Sequence, residues 1–157
     1  MSGASFLKFW APGLLALGML LATCAAPPGG AAHPDADEAA DDTRQRLQGT
    51  WLREYEAKGI RARRVLVLEP DGAFREKVRA TDGAGRATEQ AHEGTWLFDG
   101  TNLKRKYTLM NGRPPSRLNL PLATFQIAFE TPNEFLGVDH IHGNKVRYRR
   151  VAAGMEP

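Results

Sequence analysis

The sequence contains very little cysteine and, beyond its first third, very little serine. Its one cysteine is Cys24, so no internal disulfide can form. Residues 43–157 hold no cysteine and a single serine, Ser116, which follows two prolines and is not part of a Gly-x-Ser-x-Gly turn. The glycines of residues 82–85 lead into a strand pattern and not into a helix, so a phosphate-binding loop is also missing. We therefore expect no catalytic activity and no cofactor.

Charge is absent from a long apolar run near the N-terminus. Lys8 is the only charged residue before Asp35, and residues 9–26 carry no charge at all. A positive residue, an apolar stretch and small residues at its end are typical of a secretory signal peptide. The run is about long enough to span a bilayer, so an uncleaved anchor helix is the alternative, although a proline and glycines within it weaken a helix. We predict a signal peptide over residues 1–23.

Cys24 stands where this apolar run ends, in the phrase Leu21-Ala22-Thr23-Cys24. The phrase resembles the lipobox of bacterial lipoproteins, in which the cysteine is linked to diacylglycerol and becomes the new N-terminus. The resemblance implies a lipidated Cys24, and each buried methylene of the acyl chains contributes ~0.8 kcal/mol to membrane binding. Ordinary signal cleavage after Ala25 or Ala26 is the alternative. Residue 25 is alanine and not the aspartate associated with inner-membrane retention. This favours a location at the periplasmic face of the outer membrane.

The segment after Cys24 is first rich in alanine, glycine and proline and then strongly acidic. Residues 35–42 hold five carboxylates and no basic residue. Neither part can bury a core, so we predict a disordered tether over residues 24–42 and a domain over residues 43–157. The only helical candidate is a turn or two at Asp42–Gln48. The domain holds 20 of the 21 basic and 13 of the 18 acidic residues, a net charge of +7.

From residue 49 onward, short runs of alternating apolar and polar residues are separated by turns rich in glycine, proline, aspartate and asparagine. Short connections require antiparallel neighbours, and a long antiparallel meander protects its edges best by closing. We predict an all-β, up-and-down barrel of about eight strands, with room inside for side chains or one small ligand. The strands are expected near residues 49–56, 64–69, 73–80, 88–98, 103–109, 124–130, 134–141 and 146–151.

Four phrases of this region resemble, in order, the lipocalin-like family of small bacterial exported proteins. The family implies an up-and-down barrel with an internal cavity. Most of its members have no assigned biochemical role, so little function follows from the resemblance. The phrases are Leu47–Trp51, Glu69–Phe74, Glu93–Leu103 and Lys145–Val151.

Aromatic residues mark the expected interior of the barrel. Trp51 and Trp96 each follow Gly-Thr, while Tyr107, Phe125 and Phe129 occupy alternating strand positions. We expect these five residues to line the interior and to contact a small apolar or amphipathic ligand, so that the protein is a non-catalytic binding module. Core packing is the alternative for each ring. The matching alternative function is a structural or protein-interaction lipoprotein of the cell envelope with a filled barrel and a basic outer face.

Basic residues alternate with apolar ones along neighbouring strands, which places the basic residues on the expected outer faces. They could contact an anionic surface such as a glycolipid, or they could form a solvated face that resists edge pairing. Nucleic acid is not an expected partner of an exported chain, and no pattern indicates an oligomeric state. The contact set is Arg75, Lys77, Arg79, Lys104 and Lys106, extended by Arg61, Arg63 and Arg64.

His140 and His142 are two residues apart and would share one face of a strand. A metal site would need a third ligand, for which His92 or a carboxylate is the candidate. The alternative is that His142 belongs to a turn and His140 is an ordinary barrel residue. Because no ligand spacing supports coordination, we predict no metal site.

Overall fold

The computed structural model describes residues 34–116, 121–139 and 141–157; the predicted signal peptide, Cys24 and the first part of the predicted tether lie outside them. Within these ranges the chain forms one helix followed by eight strands. The elements are α1 (Pro34–Leu47), β1 (Gly49–Ala57), β2 (Ile60–Leu68), β3 (Ala73–Thr81), β4 (Ala87–Phe98), β5 (Asn102–Met110), β6 (Leu122–Thr131), β7 (Glu134–Asp139) and β8 (Asn144–Val151).

The strands form one closed barrel in which each strand pairs antiparallel with the next along the chain. β8 returns to β1, where Thr50–Leu52 pair with Arg149–Val151. The predicted fold class, an antiparallel up-and-down barrel of eight strands, is therefore confirmed. β2 begins at Ile60 and not near residue 64 as predicted, because the alternation of Arg61 and Arg63 with small or apolar neighbours continues the strand.

The acidic residues 35–42 are helical, so the prediction of a disordered tether is wrong for this part of the segment. Proline opens helices readily at their first position, and acidic side chains in the first turn together with basic ones in the last turn suit the helix dipole. Here Asp35 and Asp37 lie in the first turn and Arg44 and Arg46 in the last. The predicted domain start at residue 43 falls inside this helix.

The C-terminal end of α1 covers one end of the barrel, which we call the closed end. Leu47 is fully buried in the main core cluster beside Trp51. Ala40 lies next to Gly100, in the turn between β4 and β5. The helix is thus held by its last turns, where it excludes water from the strand ends beneath it.

The chain after β8 folds back along the outer face of β2 and β3. Glu156 accepts a hydrogen bond of 2.7 Å from Lys77 Nζ, and Met155 lies in the same small depression as Val65. Val65 is on the outer face of its strand but only 3% exposed. The tail therefore gives this face of the sheet an apolar cover.

Candidate functional site

Three charged side chains face the interior of the barrel near its middle. Glu76 lies between Phe74 and Val78 on β3, and Arg105 lies between Leu103 and Tyr107 on β5. On β2, Arg64 stands in the same way between two apolar residues, Ala62 and Leu66. Alternate residues of a strand point to the same side, so all three charges share the face that holds the core. The side chains of Glu76 and Arg105 are 1% and 2% exposed, and that of Arg64 is 22% exposed.

One carboxylate oxygen of Glu76 serves both guanidinium groups. Its Oε2 accepts a hydrogen bond of 2.5 Å from Arg105 Nη1 and one of 3.3 Å from Arg64 Nη1. The Nε atoms of both arginines are buried and have no hydrogen-bond partner in the described part of the chain. Two positive charges and one negative charge leave this cluster with an excess of one positive charge, which is costly in a buried place.

All three groups are charged near neutral pH. Burial alone would raise the pKa of Glu76, but the positive charges of Arg105 and Arg64 outweigh it and hold that pKa below its ordinary value. Burial would lower the pKa of Arg105, yet the negative charge of Glu76 raises it overall. The positive excess of the cluster is therefore not removed by titration near pH 7.

His92 adds a further polar group to this cluster. It lies across from Glu76 in the β3–β4 register, and its Nδ1 is buried without a hydrogen-bond partner among the described residues. Its ring centroid is 5.8 Å from that of Tyr107 in an edge-to-face arrangement. We call Arg64, Glu76, His92 and Arg105 the interior polar cluster.

Aromatic rings lie next to the interior polar cluster. Arg105 Cζ is 5.7 Å from the ring centroid of Tyr107 and 5.8 Å from that of Phe125. Burial raises the pKa of Tyr107, so its phenol is neutral. Both rings face inward, yet both remain partly exposed. Both rings therefore lie beside the cluster at the partly buried margin of the core.

The rings of Tyr107 and Phe125 lie on the neighbouring strands β5 and β6. β5 and β6 pair over Asn102–Lys106 with Leu122–Gln126, and Tyr107 N donates to Pro121 O at 2.8 Å. β6 begins at Leu122, and residues 117–120, which precede it in the chain, lie outside the described residues. Ile127 also faces inward on β6 and is only partly buried. Ile127 therefore joins Phe125 on the partly buried part of the inner face.

The larger surface depressions lie elsewhere. One of about 590 Å³ is lined by Tyr55, Arg63 and Pro157 among others, and one of about 650 Å³ by Pro70 and Thr108 among others. Both are open to solvent, and no described residue lining them has a buried polar atom without a partner. The interior polar cluster has three such atoms, so it is the better candidate for a ligand site.

Trp51 and Trp96 fill the closed end of the barrel. The Nε1 of Trp51 donates to Leu47 O at 2.7 Å, and that of Trp96 donates to Glu69 O at 2.9 Å. Trp51 is fully buried and Trp96 is 4% exposed. These contacts agree with the core-packing alternative, because both indole N–H groups already donate hydrogen bonds to backbone carbonyl oxygens.

The remaining predicted ligand residues divide between the two regions. Tyr107 and Phe125 lie beside the interior polar cluster, as described above. Phe129 belongs to the closed end, where its ring is 6.1 Å from that of Trp51 and 4.1 Å from Arg46 Cζ. The structure therefore places Tyr107 and Phe125 beside the interior polar cluster and Phe129 at the closed end, and all three rings are partly buried.

The predicted anionic-contact residues lie on the outer faces of β3 and β5, with β4 between them. Arg64, which extended that set, faces inward instead because it shares the inner face with Ala62 and Leu66. Most of the outer charges are neutralised by carboxylates, while Lys106 is exposed. The ion pairs are Arg75–Glu69 (2.6 Å), Lys77–Glu156 (2.7 Å), Arg79–Glu89 (3.8 Å) and Lys104–Asp99 (2.7 Å).

Only one of the two histidines considered as a metal-binding pair lies within the described residues. His142 lies in the β7–β8 turn, where its Nδ1 is 2.8 Å from Asp139 Oδ2. His140 lies outside the described residues, and His92 belongs to the interior polar cluster. Among residues 34–116, 121–139 and 141–157, no three His, Cys, Asp or Glu side chains form a group able to hold a metal ion. No helix in these ranges is long and apolar enough to cross a membrane.

Sequence reasoning did not find the interior polar cluster, although a signal for it was present. The apolar residues of β3 and β5 predict which face of each strand points inward. Charged residues recur on that same face at the same spacing of two, and no role was predicted for them. Glu76 and Arg105 occupy those positions. When three strands of one barrel, adjacent or nearly adjacent, each carry a charged residue between two apolar ones, the pattern indicates a polar interior.

Comparison of the chain with protein-family models finds no match, and comparison with curated proteins finds none either. The chemistry of the site is therefore the guide to function. Arginine stays protonated and does not exchange protons at neutral pH, so Arg64 and Arg105 are suited to holding an anion.

Proposed function

We propose that this chain is a lipid-anchored protein of the cell envelope whose lipocalin-like barrel binds a small amphipathic ligand. The observation that carries the proposal is the interior polar cluster beside the partly exposed rings of Tyr107 and Phe125. Buried ion pairs contribute little to stability compared with apolar side chains of similar volume. A barrel shaped only for stability has no need of such a cluster, whereas a binding site does.

Two of the phrases that resemble lipocalin-like proteins are neighbours at the closed end of the barrel. The first and last of the resembling phrases meet there, because Trp51 pairs with Arg150 across the β1–β8 seam. Arg150 Cζ lies 4.2 Å from the Trp51 ring centroid.

A structural or protein-interaction role is the second candidate. It is favoured by the dense packing of Trp51 and Trp96, which leaves the closed end without room for a ligand. Ligand binding then depends on the middle of the barrel alone. The two roles predict different responses to an apolar probe.

Binding is tested with the mature chain, residues 24–157 carrying Cys24→Ala, and a lipophilic fluorophore such as 1-N-phenylnaphthylamine. We expect saturable binding that lipid extract displaces. Phe125→Ala should weaken binding because it removes a ring beside the cluster. Leu97→Ala is the control, since Leu97 is 51% exposed on the outer face. If the parent binds neither the probe nor lipid, the structural role replaces this proposal.

The membrane anchor is tested separately by Cys24→Ala in the full chain. This variant should lose palmitate label and leave the membrane fraction, or be retained by an uncleaved signal without label. Thr23→Gly, which brings the phrase closer to the lipobox, should keep the label. Unchanged labelling of Cys24→Ala would show that the lipobox interpretation is wrong.

A further inference from the structure

We propose that the outer face of β4, β5 and β6 rests on an anionic phospholipid bilayer when the chain is anchored at Cys24. This inference concerns a surface outside the barrel and rests on the membrane anchor of the proposed function. We call this surface the outer β4–β6 face. Its six side chains are all exposed and are those of Thr95, Leu97, Lys104, Lys106, Leu122 and Thr124.

The register of the sheet places lysines beside leucines on this face. Leu97 lies across from Lys104, and Leu122 lies across from Lys106. Leu97 is 51% exposed and Leu122 is 53% exposed, so the face presents two of the five large apolar side chains that are exposed in the described residues. Leucines and long lysine stems suit the headgroup region of a bilayer, where apolar tips are buried and the ammonium groups stay among the phosphates.

Charge distinguishes this face from the other basic surface of the barrel. Lys106 makes no ion pair among the residues that the structure describes, and Lys104 is 46% exposed although it pairs with Asp99. The basic residues on the outer face of β3 are all paired with carboxylates, and the chain after β8 lies against that side. The outer β4–β6 face is therefore better able to attract lipid phosphates.

The chain leaves the domain on the side of this face. The last residue of α1 accepts a hydrogen bond from Trp51 on β1, whereas Ala40 lies next to Gly100 in the β4–β5 turn. Because β1 and β5 lie on opposite sides of a closed barrel of eight strands, α1 crosses the closed end toward β4 and β5. Pro34 lies about 9 Å further along the helix axis. Ten residue steps then separate Pro34 from Cys24, a span of at most about 35 Å, so a bilayer that holds Cys24 is within reach of the face.

The closed end itself is a poorer contact for an anionic bilayer. Five exposed carboxylates lie on α1, which covers this end, and an anionic surface repels them. They also weaken the attraction between the bilayer and the nearby lysines, so the contact needs the leucines as well. The domain should therefore turn its side, and not its closed end, to the membrane. The carboxylates are those of Asp35, Asp37, Glu38, Asp41 and Asp42.

The test anchors the domain without relying on lipoprotein processing. Residues 24–157 contain one cysteine, Cys24, whose thiol is coupled to a maleimide-bearing phospholipid. The vesicles contain equal parts of phosphatidylcholine and phosphatidylglycerol, and the phosphatidylcholine carries brominated acyl chains that quench tryptophan emission at close range. Trp51 is fully buried and Trp96 is 4% exposed, so both native indoles are shielded from the bilayer.

A tryptophan placed on the face then reports the contact. We expect Leu97→Trp to be quenched at least about threefold more strongly than Ile60→Trp. Ile60 is the matched position, since it is 44% exposed and stands at the start of β2, away from the outer β4–β6 face. Tryptophan favours membrane interfaces at either position, so the comparison cancels its own preference. Near-ultraviolet circular dichroism checks that each variant is folded.

The role of the lysines is measured in the Leu97→Trp variant. Adding Lys106→Gln should lower the ratio of quenched to unquenched emission by up to about fivefold, because one positive charge near the anionic surface is lost. Lys58→Gln is the matched control, since Lys58 is an exposed lysine of the β1–β2 turn. Vesicles of brominated phosphatidylcholine alone should quench Leu97→Trp less than the mixed vesicles do.

The outcomes separate this inference from the function on which it rests. Equal quenching of Leu97→Trp and Ile60→Trp, or quenching of neither, overturns the contact, and stronger quenching of Ile60→Trp assigns it to the β1–β2 turn instead. Quenching of Leu97→Trp that does not depend on phosphatidylglycerol overturns the role of the lysines. Palmitate labelling of the full chain tests the anchor separately: a chain without label whose Leu97→Trp variant is quenched would refute the anchor and leave the bilayer contact standing.

Discussion

Arg150 stacks on Trp51 and also ends the helix α1. Its Cζ is 4.2 Å from the Trp51 ring centroid, and its Nη1 donates to Gln48 O at 2.8 Å. Its Nη2 donates to Arg46 O. One guanidinium therefore joins the last strand, the first strand and the helix that covers the closed end, which is why the end of α1 keeps its position.

Replacing Arg150 should open this junction. We expect Arg150→Met to lower the free energy of unfolding by roughly 2–4 kcal/mol, since it removes charged hydrogen bonds and a cation–π contact. Arg150→Lys should lose about half as much because it keeps the charge but not the planar fork. Arg149→Met, next along the strand and 51% exposed, should change stability by less than ~0.5 kcal/mol. Urea unfolding measures all three, and equal losses for Arg149 and Arg150 would contradict this role.

Gly94 is required by the close approach of β4 to β5. A Cβ on Gly94 would lie 1.9 Å from Lys106 O and 2.7 Å from Phe74 Cε1. Gly94→Ala should therefore destabilise the domain by more than ~2 kcal/mol, because backbone must move. Gly83→Ala is the control, since nothing lies within 4 Å of its Cβ position, and it should be nearly neutral. Thermal melts that show similar Tm values for the two variants would disprove the close approach.

Trp96→Phe separates the closed end from the ligand site. It leaves Glu69 O without its hydrogen bond of 2.9 Å, so we expect a stability loss of about 1–3 kcal/mol. Fluorophore affinity should stay within about twofold of the parent, because the Trp96 indole is hydrogen-bonded to Glu69 O at the closed end, although its backbone lies across from Arg105. Weakened binding at parental stability would instead assign Trp96 to the ligand site.

Stability should depend on the ionisation of Glu76. The pKa of Glu76 lies below its ordinary value of 4.5, so its ionised form stabilises the fold above that pH. This contribution is lost as the pH falls below about 4.5 toward the lowered pKa. Glu76→Gln should make the free energy of unfolding less dependent on pH below about 4.5, measured against the same variant at pH 7. A pH profile parallel to that of the parent would argue against the charged cluster.

The control for this pH profile is Asp99→Asn. A hydrogen bond from Lys104 and others from the backbone of the turn hold the pKa of Asp99 below its ordinary value. Asp99 is at the surface, so its effect is screened by solvent. We expect the acid-side slope to fall less in Asp99→Asn than in Glu76→Gln.

Local sequence patterns predicted the fold because turns and alternation are local properties. These local patterns could not predict the register shift at Glu93 and Gly94, since the shift depends on how closely β5 approaches β4. Strict alternation along β5 would place Leu109 on the same face as Leu103 and Tyr107. The shift puts Leu109 across from Glu93, on the opposite face.

The interior polar cluster was harder to predict because its contacts cross a strand. Glu76 and Arg105 are 29 residues apart and lie on β3 and β5, with β4 between them. Gly94 has no side chain, and the rings of Phe74 and Tyr107 meet over it with centroids 5.2 Å apart. The alternation shows that these residues face inward, but only the curvature of the closed sheet brings the charges together.

The seam between β1 and β8 constrains the order in which the strands of the barrel can pair during folding. Every other strand pair joins neighbours along the chain, so its loop closes at a small entropic cost. The seam pairs only Thr50–Leu52 with Arg149–Val151, and the hydrogen bond from Arg150 to Gln48 spans 102 residues. A chain that emerges N-terminus first can form its hairpins one after another, yet the barrel remains an open sheet until the last strand arrives.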